Sequence, residues 1–434
     1  METSPLEVVR LWRVPEGHRK RFLSRSEGDV AEVLPKVREI VKKVRNTGDY
    51  ALLEFTERFD GVDMTRDQIR VTEEEVSRAF DEMEYGDIDI IREAAKAIER
   101  YHRRQMPEEW MEEFEEGISA GQVVRPLDSV GCYAPGGNAQ YPSSVLMSVI
   151  PAKVSGVKKV SVCTPPNSDR KINSATLVAA DFAGADEVYK VGGAQAISAM
   201  AYGTKTIPSV DKIVGPGNIY VAAAKRVVST EVDIDFMAGP SEVLILADST
   251  ADPHLIALDL VAQAEHDSSS AAVLVTTSEK LAEDTSSKVK NILEDTRRNR
   301  TAGKALQKYG LALIVRTTER AVDFVNDYAP EHLQIMVREP ERVLDRIKNA
   351  GAIFLGLNSP TSAGDFAVGP SHVLPTGGEA RYYDGLNVQD FLRMPSVQKI
   401  SKKGLEKISE VIERISELEG LPAHARSVRD RVED

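Results

Sequence analysis

From Ser129 to Leu355 short apolar runs alternate with amphipathic stretches, and this alternation constrains the fold more than any other feature of the chain. Val130–Tyr133, Val160–Thr164, Glu187–Val191, Lys212–Val214 and Asp233–Phe236 have the length and the β-branched content of buried strands. Ser143–Val154, Asn173–Ala183, Ala194–Tyr202 and Ile219–Ser229 read as the helices between them. Strands and helices in this succession make a parallel sheet with helices on its faces. After Gly239-Pro240-Ser241 a second series begins, with strands at Val243–Leu246, Ala272–Thr276, Leu311–Val315 and Ala352–Leu355. Its helices are expected at about Asp252–Ala264, Glu279–Arg297, Glu319–Asp327 and Glu341–Lys348. The expected fold class is therefore α/β, with two similar units in tandem and no residue-level repeat strong enough to mark a duplication.

The flanks differ. Before about residue 125 the periodicity is helical, with Val30, Val33, Leu34, Val37, Ile40 and Val41 on one face and a break at Asn46-Thr47-Gly48-Asp49. Thr72-Glu73-Glu74-Glu75 is a capping-box start. In the helix expected over Asp87–Arg104, His102 stands among Arg100, Arg103 and Arg104 and reads as solvated surface. Trp12 and His18 have no chemical partner nearby in sequence. Arg381–Ile400 reads as a mixed connector, and Ser401–Leu418 as an amphipathic helix with Leu405, Ile408, Val411, Ile412 and Ile415 along one face. Glu419-Gly420-Leu421-Pro422 stops that helix, and Ala423–Val428 begins a last one. A small helical appendage is expected here, rather than a third sheet, with an apolar face that another subunit would cover.

A net charge of -13, from 55 basic and 68 acidic residues, argues against broad nucleic-acid or anionic-membrane binding. The start Met1-Glu2-Thr3-Ser4-Pro5 lacks the pattern of a secretory signal, and no apolar run approaches the ~18 residues of a membrane span, so a cytoplasmic protein is expected. Two cysteines, Cys132 and Cys163, give neither a disulfide framework nor a cysteine metal site. Cys132 could trap an aldehyde, but a buried cysteine is more commonly a small apolar residue.

Three strands run into glycine loops that open helices: Gly131-Cys132-Tyr133-Ala134-Pro135-Gly136-Gly137, Gly192-Gly193-Ala194-Gln195 and Gly215-Pro216-Gly217-Asn218. At the carboxyl end of a parallel strand such loops let main-chain amides approach an anionic ligand. None matches G-x-G-x-x-G or a Walker loop, so they indicate a ligand cleft without naming the ligand. Scattered metal-type donors occur in Gln263-Ala264-Glu265-His266-Asp267, in Ser362-Ala363-Gly364-Asp365, at His372 and at His424. Imidazole and carboxylate suit zinc or another divalent first-row ion, although no HExxH is present. In Tyr328-Ala329-Pro330-Glu331-His332-Leu333 two proton-transfer groups are adjacent after a proline, which places them at a bend or helix start.

These motifs, together with Tyr141-Pro142-Ser143-Ser144, Ala238-Gly239-Pro240-Ser241-Glu242, His372-Val373-Leu374-Pro375-Thr376 and Glu419-Gly420-Leu421 followed by His424, resemble the histidinol dehydrogenase family over essentially the whole chain. The resemblance implies two incomplete Rossmann-like domains in tandem with small helical extensions, assembled as an intertwined homodimer. It implies oxidation of L-histidinol by two NAD to L-histidine through a bound aldehyde. By similarity Gln263, His266, Asp365 and His424 hold zinc, and Ser241, His332, Asp365, Glu419 and His372 line the substrate pocket with the zinc ligands. Tyr133, Gln195 and Asn218 contact NAD, while Glu419 and His424 come from the partner subunit. His332 takes the alcohol proton, and Glu331 activates water for the second oxidation. The expected divisions are an N-terminal extension to residue 25, a helical segment over 26–127 packing on the second α/β unit, an NAD-side unit over 128–236, a catalytic unit over 237–385, and a docking tail over 386–434. Three alternatives stand beside this reading: a relative that oxidises another polar alcohol, a zinc hydrolase using Glu331, and a nucleotide-binding protein without catalysis.

Overall fold

The computed structural model describes residues 6–19, 22–23, 30–136, 141–237 and 239–433. The readings that rest on Met1–Pro5, Asp29, Gly137 and Ala238 lie outside the described residues.

Two parallel sheets form the centre. The first has five strands in the order Glu187–Lys190, Lys159–Thr164, Ser129–Tyr133, Lys212–Val214 and Asp233–Ile234. The chain winds outward from Ser129–Tyr133 on one side and then crosses to the other, so a topological switch point lies between Ser129–Tyr133 and Lys212–Val214. The second sheet repeats this winding about Glu242–Ala247. It runs through Ala271–Thr276 and Gly310–Ile314 on one side, and His332–Met336 and Ala352–Leu355 on the other. The tandem α/β expectation holds, and two strands add to it. Glu7–Arg10 joins the outer edge of the second sheet beside Gly310–Ile314, and the neighbouring Trp12 ring carries the Arg316 guanidinium 5.5 Å from its centre, a partner the sequence did not suggest. His332–Met336 is a fully buried strand, where the proline before it had suggested a bend or a helix start. Pro330 restricts only the residue before it, and the strand begins two positions later.

The helical segment ahead of the first sheet packs chiefly on that unit rather than on the second as expected, although Tyr85–Arg103 also touches the turn Gly364–Val368 of the second unit. Val37, Ile40, Val41 and Val44 of Val30–Thr47, with Leu52 and Phe55 of Asp49–Asp60, share a core with Ile197, Met200 and Ala223. Val71, Ala79, Ile88, Ala95 and Ile98 do the same with Leu146, Val149 and Leu177. The reason lies in the covering helices themselves: Pro142–Val154 buries nine of its residues, so its outward side also needs an apolar partner. Each fully buried Val, Ile or Leu side chain contributes about 1.5–3 kcal/mol relative to exposure. Gly48 separates the first two helices at φ +54°, a conformation that favours glycine.

His102 is fully buried at the inner face of Tyr85–Arg103, correcting the surface reading, and its Nδ1 lies 2.7 Å from Gln105 Oε1. A third sheet also exists. Trp110–Glu115, Ile118–Gln122 and Ser396–Ile400 pair antiparallel, tying the tail to the segment before the first unit. The helix Asn299–Tyr309 was not anticipated either. In the tail, Lys402–Leu418 and Pro422–Glu433 pack on each other, while Val411, Ile415 and Leu418 remain 59%, 51% and 81% exposed. That apolar row is far more open than a helix packed only within its own chain would leave it. No helix among the described residues is long and apolar enough to cross a membrane.

Candidate active site

The catalytic candidates lie where the second sheet changes direction, at the amino ends of its strands. Glu242 and His332 each open a strand, and Val243 is registered against His332. The two chains are tied through side chain and backbone together. The Glu242 N–H donates to Glu331 Oε2 at 2.6 Å, and the Glu331 N–H donates to Glu242 Oε1 at 3.2 Å. His332 Nδ1 lies 3.0 Å from the Glu242 carbonyl oxygen. A carbonyl only accepts, so Nδ1 carries a proton, and in the neutral ring the Nε2 lone pair is the one left for chemistry. Nε2 is buried without a hydrogen-bond partner among the described residues, 3.5 Å from Asp365 Oδ1. Phe354 stands 6.0 Å from the imidazole, ring to ring. Burial disfavours the imidazolium, but the Glu331 and Asp365 carboxylates outweigh it and hold the His332 pKa well above its ordinary value.

Helices antiparallel to the strands return their carboxyl ends to this same edge. Pro253–Ala264 thereby delivers Gln263, buried in its last turn, and His266 just beyond. Asp365 arrives on a single π-type turn, Gly364–Val368, an irregularity often found at functional sites. Burial raises the Asp365 carboxyl, yet His332, His372 and His266 around it bring it below the ordinary value. His372 donates from Nδ1 to the Asp365 carbonyl at 2.9 Å and places Nε2 3.4 Å from Ser144 Oγ, on a helix of the first unit. Burial pushes the His372 pKa down, favouring the neutral ring.

A cleft of about 780 Å³ is lined by His332, Phe354, Asp365, His372, Tyr101 and Gln105, among others. The structure thus brings Glu331, His332, Asp365 and His372 together, with His266 near enough to bias Asp365 electrostatically. Ser241 immediately precedes Glu242 at the same edge. Glu419 and His424 stand apart on the exposed tail and do not line the cleft. Among the described residues no group of three or more His, Cys, Asp or Glu could hold a metal ion. Gln263, His266 and Asp365 carry an amide oxygen, an imidazole and a carboxylate, donor types that suit zinc.

The glycine loops gather at the carboxyl ends of the first sheet. The Gly193 N–H donates to the Tyr133 hydroxyl oxygen at 3.0 Å, and Gln195 follows on the same helix, buried beside Gly193. Burial pushes the Tyr133 phenol up to about 12, so it stays protonated and can donate onward. Asn218 caps its own helix, accepting from the N–H groups of Tyr220 and Val221 at 3.0 and 3.2 Å. Cys132 is buried in the central strand and burial raises its thiol far above the usual range, which removes it as a nucleophile.

Sequence reasoning left Glu242, Tyr101 and Gln105 without a role. Glu242 carried a usable signal, since a carboxylate opening an otherwise wholly apolar strand is a buried charge that needs a reason.

Comparison with known proteins agrees with this arrangement. The family model for histidinol dehydrogenase matches residues 23–432. The chain is 52% identical over 413 residues to a histidinol dehydrogenase of Methanothermobacter thermautotrophicus, covering 95% of this chain and 96% of that one. It is 50% identical over 407 residues to one of Geobacillus kaustophilus, covering 94% and 96%. A crystal structure of histidinol dehydrogenase from Elizabethkingia anophelis superposes with a TM-score of 0.95 at 38% identity, over 100% of this chain and 99% of that one. With nearly all of its length matched in sequence and in fold, the chain belongs to the histidinol dehydrogenase family.

Proposed function

We propose that the chain oxidises L-histidinol to L-histidine through bound L-histidinaldehyde, at the end of histidine biosynthesis, with Glu331 and His332 dividing the proton transfers. The observation that carries the proposal is the buried His332 ring, with Nδ1 facing the Glu242 carbonyl and Nε2 3.5 Å from Asp365 Oδ1 and without a hydrogen-bond partner among the described residues.

In each oxidation His332 Nε2 accepts a proton from oxygen, first from the alcohol and then from the hydrated aldehyde. The neutral ring takes the proton, the Glu331 and Asp365 carboxylates beside it stabilise the imidazolium that results, and that proton passes to solvent before the second oxidation. Glu331 activates the water that adds to the aldehyde. Its carboxylate is oriented by the Glu242 N–H, and Oε2 lies 3.3 Å from His332 Nδ1. Ser241, His372 and Asp365 bind the polar groups of the substrate, and Phe354 excludes water from one side of the imidazole.

Gln263, His266 and Asp365, with His424 of a second copy, are the residues that would hold zinc, which supplies a template for the amine and imidazole of the substrate. NAD, when bound at Tyr133, Gln195 and Asn218, supplies the hydride acceptor for both steps. The switch point of the first sheet and its protonated Tyr133 support this placement. Residues 128–236 then form the dinucleotide side and 237–385 the catalytic side. The tail over 386–434 docks on the partner and delivers Glu419 and His424, a reading supported by the exposed Val411, Ile415 and Leu418. The test is single-turnover oxidation of histidinol with NAD by His332→Asn and Glu331→Gln. Loss of both steps in the first variant and of the second step in the other supports the assignment, and full activity in either overturns it.

A further inference from the structure

Lys225 and Asp235 form an ion pair at 2.6 Å whose side chains are 2% and 1% exposed. Neither residue is used by the chemistry above. Both side chains instead close on one peptide position, Gly215. The Lys225 ammonium donates to the Gly215 carbonyl at 2.5 Å, and the Gly215 N–H donates to Asp235 Oδ2 at 2.8 Å. Gly215 is where the strand Lys212–Val214 leaves the sheet at the switch point. Its φ is +112°, and a Cβ there would meet the Tyr133 carbonyl oxygen at 2.2 Å. The loop is therefore pressed against the strand that carries Tyr133. Its far end is fixed by the Asn218 cap, and Lys225 belongs to the helix that Asn218 caps.

We infer that the Lys225–Asp235 pair is a positioning device for dinucleotide recognition: it fixes Gly215, and through Gly215 the spacing between Tyr133 and Asn218. The inference rests on the reading of Tyr133, Gln195 and Asn218 as NAD contacts. Its physical content is specific. A solvated glycine loop at a switch point samples many conformations, and each must be lost when a ligand binds. A buried charge pair with both charges committed to one peptide group removes that freedom beforehand. Asp235 also lies at the end of the last strand of the first sheet, six residues before Ser241. The same pair therefore ties the loop to the connection that enters the second unit.

The experiment measures NAD binding by titration, KM for NAD, KM for histidinol and kcat in the full-length protein and in Lys225→Met/Asp235→Leu. Both charges are removed together because an unpaired buried charge would itself unfold the chain. The double variant is expected to bind NAD about tenfold more weakly, or about 1.4 kcal/mol. KM for NAD should rise in parallel, with kcat at saturating NAD and KM for histidinol nearly unchanged. A pair that only stabilises the fold would lower the melting temperature without this split. Equal NAD affinity in variant and unaltered protein overturns the inference alone, while absence of NAD binding by the unaltered protein overturns both it and the functional reading. If the double variant does not fold, Lys225→Arg keeps the pair but displaces the donor. A several-fold rise in KM for NAD with unchanged kcat is then expected, and no rise overturns the inference.

Discussion

His332 and Glu242 are joined at 3.0 Å through an imidazole nitrogen and a main-chain carbonyl, so the base is oriented by backbone that no side-chain substitution can remove. The opposite ring nitrogen is buried and unpaired among the described residues. A buried ring nitrogen is costly to leave unpaired, and in the proposed reaction substrate oxygen would satisfy it.

Replacing the acceptor and the neighbouring carboxylate in turn distinguishes their roles. His332→Asn keeps an amide able to reach the Glu242 carbonyl but loses the basic nitrogen, and hydride transfer is expected to fall by about 10²–10⁴-fold in both steps. Glu331→Gln retains an acceptor for the Glu242 N–H, so the strand pairing survives. It is expected to spare alcohol oxidation and to let histidinaldehyde persist. Rapid-quench sampling of alcohol, aldehyde and acid checks both, and equal losses in the two steps in Glu331→Gln would contradict the division of labour.

The tail prediction concerns assembly. If His424 acts in the partner's site, His424→Gln and His332→Asn are each inactive alone but complement when co-expressed. With random pairing about half of the dimers are mixed and each mixed dimer has one intact site, so about a quarter of full activity returns. Leu418→Glu, which puts a charge in the exposed apolar row, is expected to shift the protein toward monomer in light scattering and to lower activity. Additive inactivity in the mixture, with dimers intact, would place the whole site in one chain.

Metal removal is expected to abolish histidinol oxidation and to weaken substrate binding more than NAD binding, because the proposed template role concerns the substrate. His266→Asn should retain less zinc after dialysis, as read by elemental analysis. Unchanged turnover in protein verified to be metal-free would contradict the assignment.

A stability prediction comes from Asp60, at the end of Asp49–Asp60, where burial raises the carboxyl to about 6 and one oxygen has no hydrogen-bond partner among the described residues. The folded state then holds a proton that the unfolded chain releases near the ordinary value of 3.8. Stability therefore falls as pH rises through the interval between these values, and the penalty is complete above it. Asp60→Asn should stabilise the protein at pH 8 by on the order of 1 kcal/mol once partial solvent screening is allowed for, read as a higher melting temperature than that of the unaltered protein. The gain should fade near pH 4. A difference independent of pH would show that Asp60 ionisation does not act on the fold.

The tandem winding was legible because the strands are apolar on both faces and several helices between them carry boundary signals, Asn173 and Asn218 at starts and Gly184 and Gly203 at ends. The donor residues were legible as chemical types, whereas their convergence was not. Asp365 reaches His332 from the turn after the last strand of the second sheet, a relationship that spacing along the chain does not encode. His102 was misread from its charged sequence neighbours. Ile88, Ala95, Ile98 and His102 recur at helical intervals on one face, and that periodicity was the better guide. The hairpin Trp110–Gln122 escaped because its first strand is exposed on both faces and has no apolar alternation to read. Its third strand lies almost three hundred residues later, and only the tertiary fold joins them.

The most direct test of the central claim is the number of NADH molecules formed per histidinol consumed at completion. Two, with histidine as the only organic product, is the result expected when the imidazole and the carboxylate act in succession on one bound substrate. One, with free aldehyde accumulating, would show that Glu331 does not activate water here and would contradict the account.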